Sequence, residues 1–337
     1  MPFLAPPAAR CLPPPTGLRC QVRAPGRLHL GFFDPSAALG RRFGSLGLVV
    51  EGFETVVSLQ PADHDQLLAD DADAGPELAR AAALLQRLRQ ASGCHQPLCL
   101  QLGPLLPAHA GLGSGTQLAL AIGRAFATVH GLAVDTPTLA QWGGRGARSG
   151  VGIAGFDQGG LLVDGGPGAD GRPAPLLSRI GFPADWRVVV VLDPRMRGLS
   201  GQREQQAIAT LAPLPQAVAA DICHQVLMRV LPGAAEAQFA PFAAGLSHIQ
   251  QVLGAHFAPA QGGSAYTSPA VGRLLQWMAS ADGAAVGQSS WGPTGFAVLP
   301  SEARARALVA AAQQAGLVAD GLQLQVVAGR NHGAVLT

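Results

Sequence analysis

Four short stretches of the chain concentrate residue types that hold anions, move protons or stack on rings. The first, Pro107-Ala108-His109-Ala110-Gly111-Leu112-Gly113-Ser114-Gly115-Thr116-Gln117, is a glycine loop that leads into an apolar segment. Glycines allow close backbone approach to a phosphate, and the free N–H groups and positive dipole end of a helix favour negative charge there. Ser114 and Thr116 add hydroxyl donors. A glycine turn that only caps a core helix would carry the same residues. In the second stretch, Pro25-Gly26-Arg27-Leu28-His29-Leu30-Gly31-Phe32-Phe33, the period of two places Arg27, His29 and Phe33 on one strand face. The third is glycine-rich and carries Arg145 and Arg148, followed by Asp157 and Asp164. Two guanidinium forks in such a setting suit phosphate or carboxylate. The fourth, Gly287-Gln288-Ser289-Ser290-Trp291-Gly292-Pro293-Thr294-Gly295, sets an indole in a turn, where it stacks on a planar ligand or anchors the loop.

Composition removes several alternatives. The chain has 337 residues, and all 23 of its basic residues are Arg. Without Lys there is no Schiff base and no Gly-Lys-Ser/Thr phosphate loop. A net charge of +2 with no basic block leaves no footprint for nucleic acid. No apolar run reaches the length of a membrane helix, so a cytoplasmic protein with no membrane partner is expected. Five Cys, none in a C-x-x-C pair, are expected to be reduced thiols. Residues 1–17, rich in Pro, are expected to form a disordered leader.

These stretches need elements to position them. Residues 18–60 read as short β-rich runs, and 76–93 as an amphipathic helix with Pro76 at its start and Gly93 as its C-cap. The segment after Ser114 is apolar nearly all round, so its helix is expected to be buried. Arg187 to Asp193 reads as a buried strand, Ser200 to Gly254 as three helical stretches, and the last third alternates helix and strand. A break near 181–187 divides the chain into expected domains 18–182 and 183–337, an α+β architecture.

The segments PGRLHLG, PAHAGLGSG and QSSWGPTGFAV resemble, in order and character, the three motifs of the GHMP kinase superfamily. The resemblance implies a two-domain fold: an N-terminal α+β domain with the phosphate loop, and a C-terminal ferredoxin-like α+β domain. Two departures oppose ATP binding: Gly115 stands where the kinases usually carry a second Ser, and the third motif lacks a run of consecutive glycines. With RGARSGVGIAGFDQGGLLVDGG and DICHQVLMRVLPG, the chain looks like the beta-ribofuranosylaminobenzene 5'-phosphate synthases. That resemblance implies a pentosyltransferase joining phosphoribosyl diphosphate to 4-aminobenzoate or 4-hydroxybenzoate through carbon, with loss of carbon dioxide and diphosphate, in tetrahydromethanopterin synthesis. The alternative is an ATP-dependent small-molecule kinase.

On this resemblance, Gly111, Gly113, Ser114, Gly115 and Thr116 are expected to hold one phosphate, and Arg27, Arg145 and Arg148 further phosphate or carboxylate. Mg²⁺ is the implied cofactor, with Asp157 or Asp164 nearest to it. Trp291 is expected to stack on the benzoate or the sugar cation. His29 or His109 is expected to polarise the para substituent or assist the leaving group. A homodimer is implied.

Overall fold

The computed structural model describes residues 18–168, 170–199 and 201–337, so the expected leader lies outside the described residues. The chain opens with two long strands, β1 (Cys20–Asp34) and β2 (Phe43–Pro61), then β3 (Gln66–Ala69), α1 (Gly75–Ser92) and β4 (Leu98–Leu102). The helices α2 (Ser114–Val129), α3 (Thr136–Trp142) and α4 (Val151–Gln158) follow, then β5 (Leu161–Asp164), β6 (Leu176–Ile180) and β7 (Arg187–Leu192). A helical stretch comes next: α5 (Gly201–Thr210), α6 (Gln216–Gln225), a π-helical turn at Val226–Val230, α7 (Leu231–Ala235) and α8 (Phe239–Phe257). The chain ends with α9 (Pro269–Asp282), β8 (Ala285–Gln288), β9 (Gly295–Leu299), α10 (Glu302–Gln314), β10 (Gln323–Ala328) and β11 (Val335–Leu336).

The strands form two sheets. One runs β11-β1-β2-β4-β3, with β5 on β2 and β6 on β5; the other runs β10-β7-β9-β8. The C-terminus returns to the first sheet, where Val22 and Arg23 pair with Leu336 and Val335. The buried Arg330 secures that return through Glu54 and Glu51.

Helix α2 is buried because its residues are apolar on nearly every side: Leu118, Leu120, Ile122 and Phe126 pack with Val57, Leu59, Leu100 and Leu102. Each such side chain contributes about 1.5–3 kcal/mol by leaving water. A second cluster joins the two sheets, with Leu28, Leu30, Leu46 and Leu48 meeting Val188, Val190, Phe296 and Val298 across Leu246 and Leu253 of α8. The first and third motifs are thereby held on either side of one continuous core.

Two local features differ from expectation. Register shifts flank His29, and Gly31 has φ +136°, so the alternation of side chains slips there. Phe32 consequently stands edge-on to His29 at 4.4 Å between centroids, while Phe33 lies against Gly44. Cys20, Cys99 and Cys223 carry free thiols, but Cys94 is disulfide-bonded, which corrects the expectation of thiols throughout. Among the described residues, no helix is long and apolar enough to cross a membrane.

Candidate active site

The glycine loop ends at Gly113, the N-cap of α2, in the left-handed conformation with φ +81°. No side chain caps this helix, so its first turn presents unscreened N–H groups. Gly111 has φ +97° and also needs glycine. Against this positive helix end lie two cations. A Cβ at Gly113 would stand 3.3 Å from the Arg27 guanidinium, and one at Gly115 would stand 3.3 Å from that of Arg145. The glycines therefore let both side chains lie flat on the loop.

Arg27 donates through Nη1 to the Gly111 carbonyl at 3.1 Å, and its buried Nε has no hydrogen-bond partner. Burial pulls its pKa down to about 10, partly offset by Glu204 and Asp164. The buried Nε of Arg145 is also without a partner, and burial and then Arg80, Arg87 and Arg148 lower its pKa. Guanidinium groups beside one another and beside a helix N-terminus are mutually unfavourable without an anion. A carboxylate reaches into this group from α5: Glu204, only 8 % exposed, has its Oε2 2.8 Å from Arg148 Nη1. Burial raises its pKa against the pull of Arg148 and Arg27.

The third motif closes on the second. Ser289 Oγ donates to the Gly111 carbonyl at 2.7 Å and accepts from His29 N at 2.9 Å, while Ser290 N donates to His29 O. One serine thus ties all three motifs together. A Cβ at Gly292 would collide with the Ala110 carbonyl and stand 2.5 Å from Gly111 N, so glycine is required there by contact.

His29 is 3 % exposed, and neither ring nitrogen has a hydrogen-bond partner. Burial, then Arg27 and Arg148, hold its pKa well below 6.5, so the ring is neutral. His109 sits elsewhere on the loop, accepting at Nε2 from Arg80 Nη2 at 2.9 Å, and burial, Arg80 and Arg197 lower its pKa. Trp291 is 3 % exposed and packs on Phe257 at 4.6 Å between centroids. It borders a cavity of about 440 Å³ that His29 also lines. Thr116 lies against Gly152 at the start of α4, and Gln117 Nε2 donates to the Gly152 carbonyl at 2.9 Å, fixing α2 to α4.

The two acids stand apart from this arrangement. Asp164 accepts from Gly150 N, Val151 N and Gly166 N and from the hydroxyls of Ser45 and Ser149, so its carboxylate is committed to holding the start of α4. Asp157 Oδ1 accepts from Thr136 Oγ1, which accepts from Arg124. No group of three or more His, Cys, Asp or Glu among the described residues is placed to hold a metal.

Sequence reading missed Glu204, Arg80 and Ser289. Glu204 and Arg80 lie on helices whose polar residues read as solvent faces, and Ser289 is one small residue of a turn in which Trp291 drew the attention.

Residues 77–163 match the family described as GHMP kinases N terminal domain, and residues 234–317 match GHMP kinases C terminal. The structure resembles homoserine kinase from Cytophaga hutchinsonii, with TM-score 0.64 and 15% identity over 95% of this chain and 97% of that one. It resembles mevalonate diphosphate decarboxylase from Staphylococcus aureus at TM-score 0.67 and 12% identity, over 95% and 98%. In sequence it is 34% identical to beta-ribofuranosylphenol 5'-phosphate synthase of Archaeoglobus fulgidus, over 84% of this chain and 88% of that protein. The synthase of the same name from Methanothermobacter thermautotrophicus is 29% identical over 94% and 98%. With the three motifs joined around one uncapped helix end, and a relative matching at this level along most of the sequence, the chain belongs to the beta-ribofuranosylphenol 5'-phosphate synthase family, on the GHMP kinase fold.

Proposed function

We propose that the chain condenses phosphoribosyl diphosphate with a para-substituted benzoate to give a C-riboside 5'-phosphate, carbon dioxide and diphosphate. The observation that carries this reading is the pair Arg27 and Arg145 lying against the uncapped N-terminus of α2, a positive site that needs a phosphate-rich ligand. The names of the relatives contain phenol, which favours 4-hydroxybenzoate over 4-aminobenzoate. The kinase alternative gains nothing, because the kinase neighbour shares the fold at only 15% identity.

The reaction asks the protein chiefly for positioning and charge stabilisation. The ring carbon bearing the carboxylate attacks C1 of the ribose, and the C1–O bond breaks with its electron pair leaving on diphosphate. The bond to the carboxylate carbon then breaks, its pair returns to the ring, and carbon dioxide departs. Loop amides, Arg27, Arg145 and Arg148 hold and neutralise the phosphates, and orientation alone supplies about 7–11 kcal/mol of such a barrier. We further propose that Mg²⁺ arrives as a complex with the diphosphate substrate, held by phosphate oxygens and water, as this ion commonly is in phosphate sites.

Incubating the protein with phosphoribosyl diphosphate, Mg²⁺ and 4-hydroxybenzoate should yield the C-riboside phosphate, detected by mass spectrometry. No product from either the hydroxy or the amino acid would overturn the proposal.

A further inference from the structure

The cavity beside His29 is built from both sheets. Phe32 comes from β1, Phe257 from α8, Tyr266 from the segment before α9, and Trp291 from the β8–β9 turn. Tyr266 is the only tyrosine of a chain whose aromatic content is 5%, so the convergence of these rings is not a compositional accident. At about 440 Å³ the cavity falls in the range of small-molecule sites. No Asp, Glu or Arg lines it among the described residues. A phosphorylated sugar would find no counter-charge there, whereas a planar, mostly apolar ring would find stacking partners.

His29 stands where this cavity meets the arginine group. It lines the cavity and feels the charges of Arg27 and Arg148. Buried polar atoms are nearly always hydrogen-bonded, yet both of its ring nitrogens lack partners. Its backbone is fixed on both sides by Ser289 and Ser290, so the ring is held in place without being used. The chemistry of the proposed reaction gives it a use. A guanidinium clamped on the carboxylate would hold back the electron pair that must return to the ring. A neutral imidazole N–H orients the carboxylate and leaves that pair free to move.

We infer that this cavity is the binding site of the aromatic acid, with its ring among Phe32, Phe257, Tyr266 and Trp291 and its carboxylate hydrogen-bonded to His29. The inference rests on the synthase reading and locates its second substrate. It also separates the two substrates physically: phosphates lie on the loop and arginines, the ring in the cavity.

The test pairs binding with steady-state kinetics. Binding of 4-hydroxybenzoate to the wild-type protein, followed by calorimetry, should coincide with quenching of tryptophan emission, and Trp291→Phe should lose that quenching. Val286→Phe, which fills the cavity from β8, and His29→Phe should each raise the KM for 4-hydroxybenzoate about tenfold or more and leave the KM for phosphoribosyl diphosphate unchanged. His29→Gln, which keeps an N–H donor, should recover part of the loss. Product formation with an unchanged acid KM in both Phe variants would overturn the assignment while the synthase reading stands. If a variant fails to fold, calorimetric binding to the wild type with no change in tryptophan emission overturns it. Binding and quenching with no product would contradict the synthase reading and leave the cavity assignment in place.

Discussion

Replacing Gly292 with Ala isolates the contact between the second and third motifs. The added Cβ would stand 2.5 Å from Gly111 N and closer still to the Ala110 carbonyl. Ordinary contact between such atoms requires about 3.5 Å, so the two loops must part by roughly 1 Å. Both neighbours are backbone and cannot rotate aside. Gly292 does not have a positive φ, so the effect is one of contact and not of conformation. Overpacking of this kind costs about 1–3 kcal/mol, which a chain of this size survives. A displacement of about 1 Å at a site that works by positioning costs roughly 10²-fold in rate. Gly292→Ala is therefore expected to remain folded in thermal unfolding while losing about two orders of magnitude in kcat/KM. Gly75→Ala is the control, since nothing lies within 4 Å of its Cβ at the start of α1. Wild-type kcat/KM in Gly292→Ala would refute the claim that these motifs form one rigid site.

Arg148→Ala removes both the partner of Glu204 and a proposed phosphate donor, and should weaken use of phosphoribosyl diphosphate by about 2–5 kcal/mol; an unchanged KM would remove it from the clamp. Asp164→Ala leaves three backbone N–H groups unsatisfied at about 1–3 kcal/mol each, so a large fall in Tm is expected. Full stability with lost activity would instead put Asp164 in the chemistry. The pKa of His29 is lowered on folding, so the unfolded chain takes up the proton first as pH falls through 6.5. Stability is complete above that pH and declines below it by up to about 1.4 kcal/mol per pH unit for this group. His130, lowered by burial, adds in the same sense. His29→Asn should flatten the acid side of the Tm profile, and an identical profile would contradict the neutral buried ring.

Where a local rule decided the outcome, the sequence was legible. Pro76 and Gly93 delimit α1 as Gly75–Ser92, and the glycine loop does open α2 at Ser114. Arg27, Arg145 and the loop glycines come together because glycine spacing itself records the close approach of backbone and guanidinium. What failed to show was tertiary. The slip at Gly31 replaced Phe33 by Phe32 beside His29, since a bulge cancels the period of two on which the expectation rested. The partners of Asp164 were equally out of reach, because its donors include Ser45, 119 residues away. Glu204 gave no sign because a polar helix reads alike whether its carboxylate meets water or Arg148. The aromatic cavity was hidden for the same reason, its rings being spread from Phe32 to Trp291.

The most direct test of the synthase reading follows the carboxylate. With phosphoribosyl diphosphate, Mg²⁺ and carboxyl-labelled 4-hydroxybenzoate, the account requires labelled carbon dioxide and diphosphate to appear in equal amounts. Diphosphate released with the label still on the aromatic product, or neither product from the hydroxy or the amino acid, would contradict it.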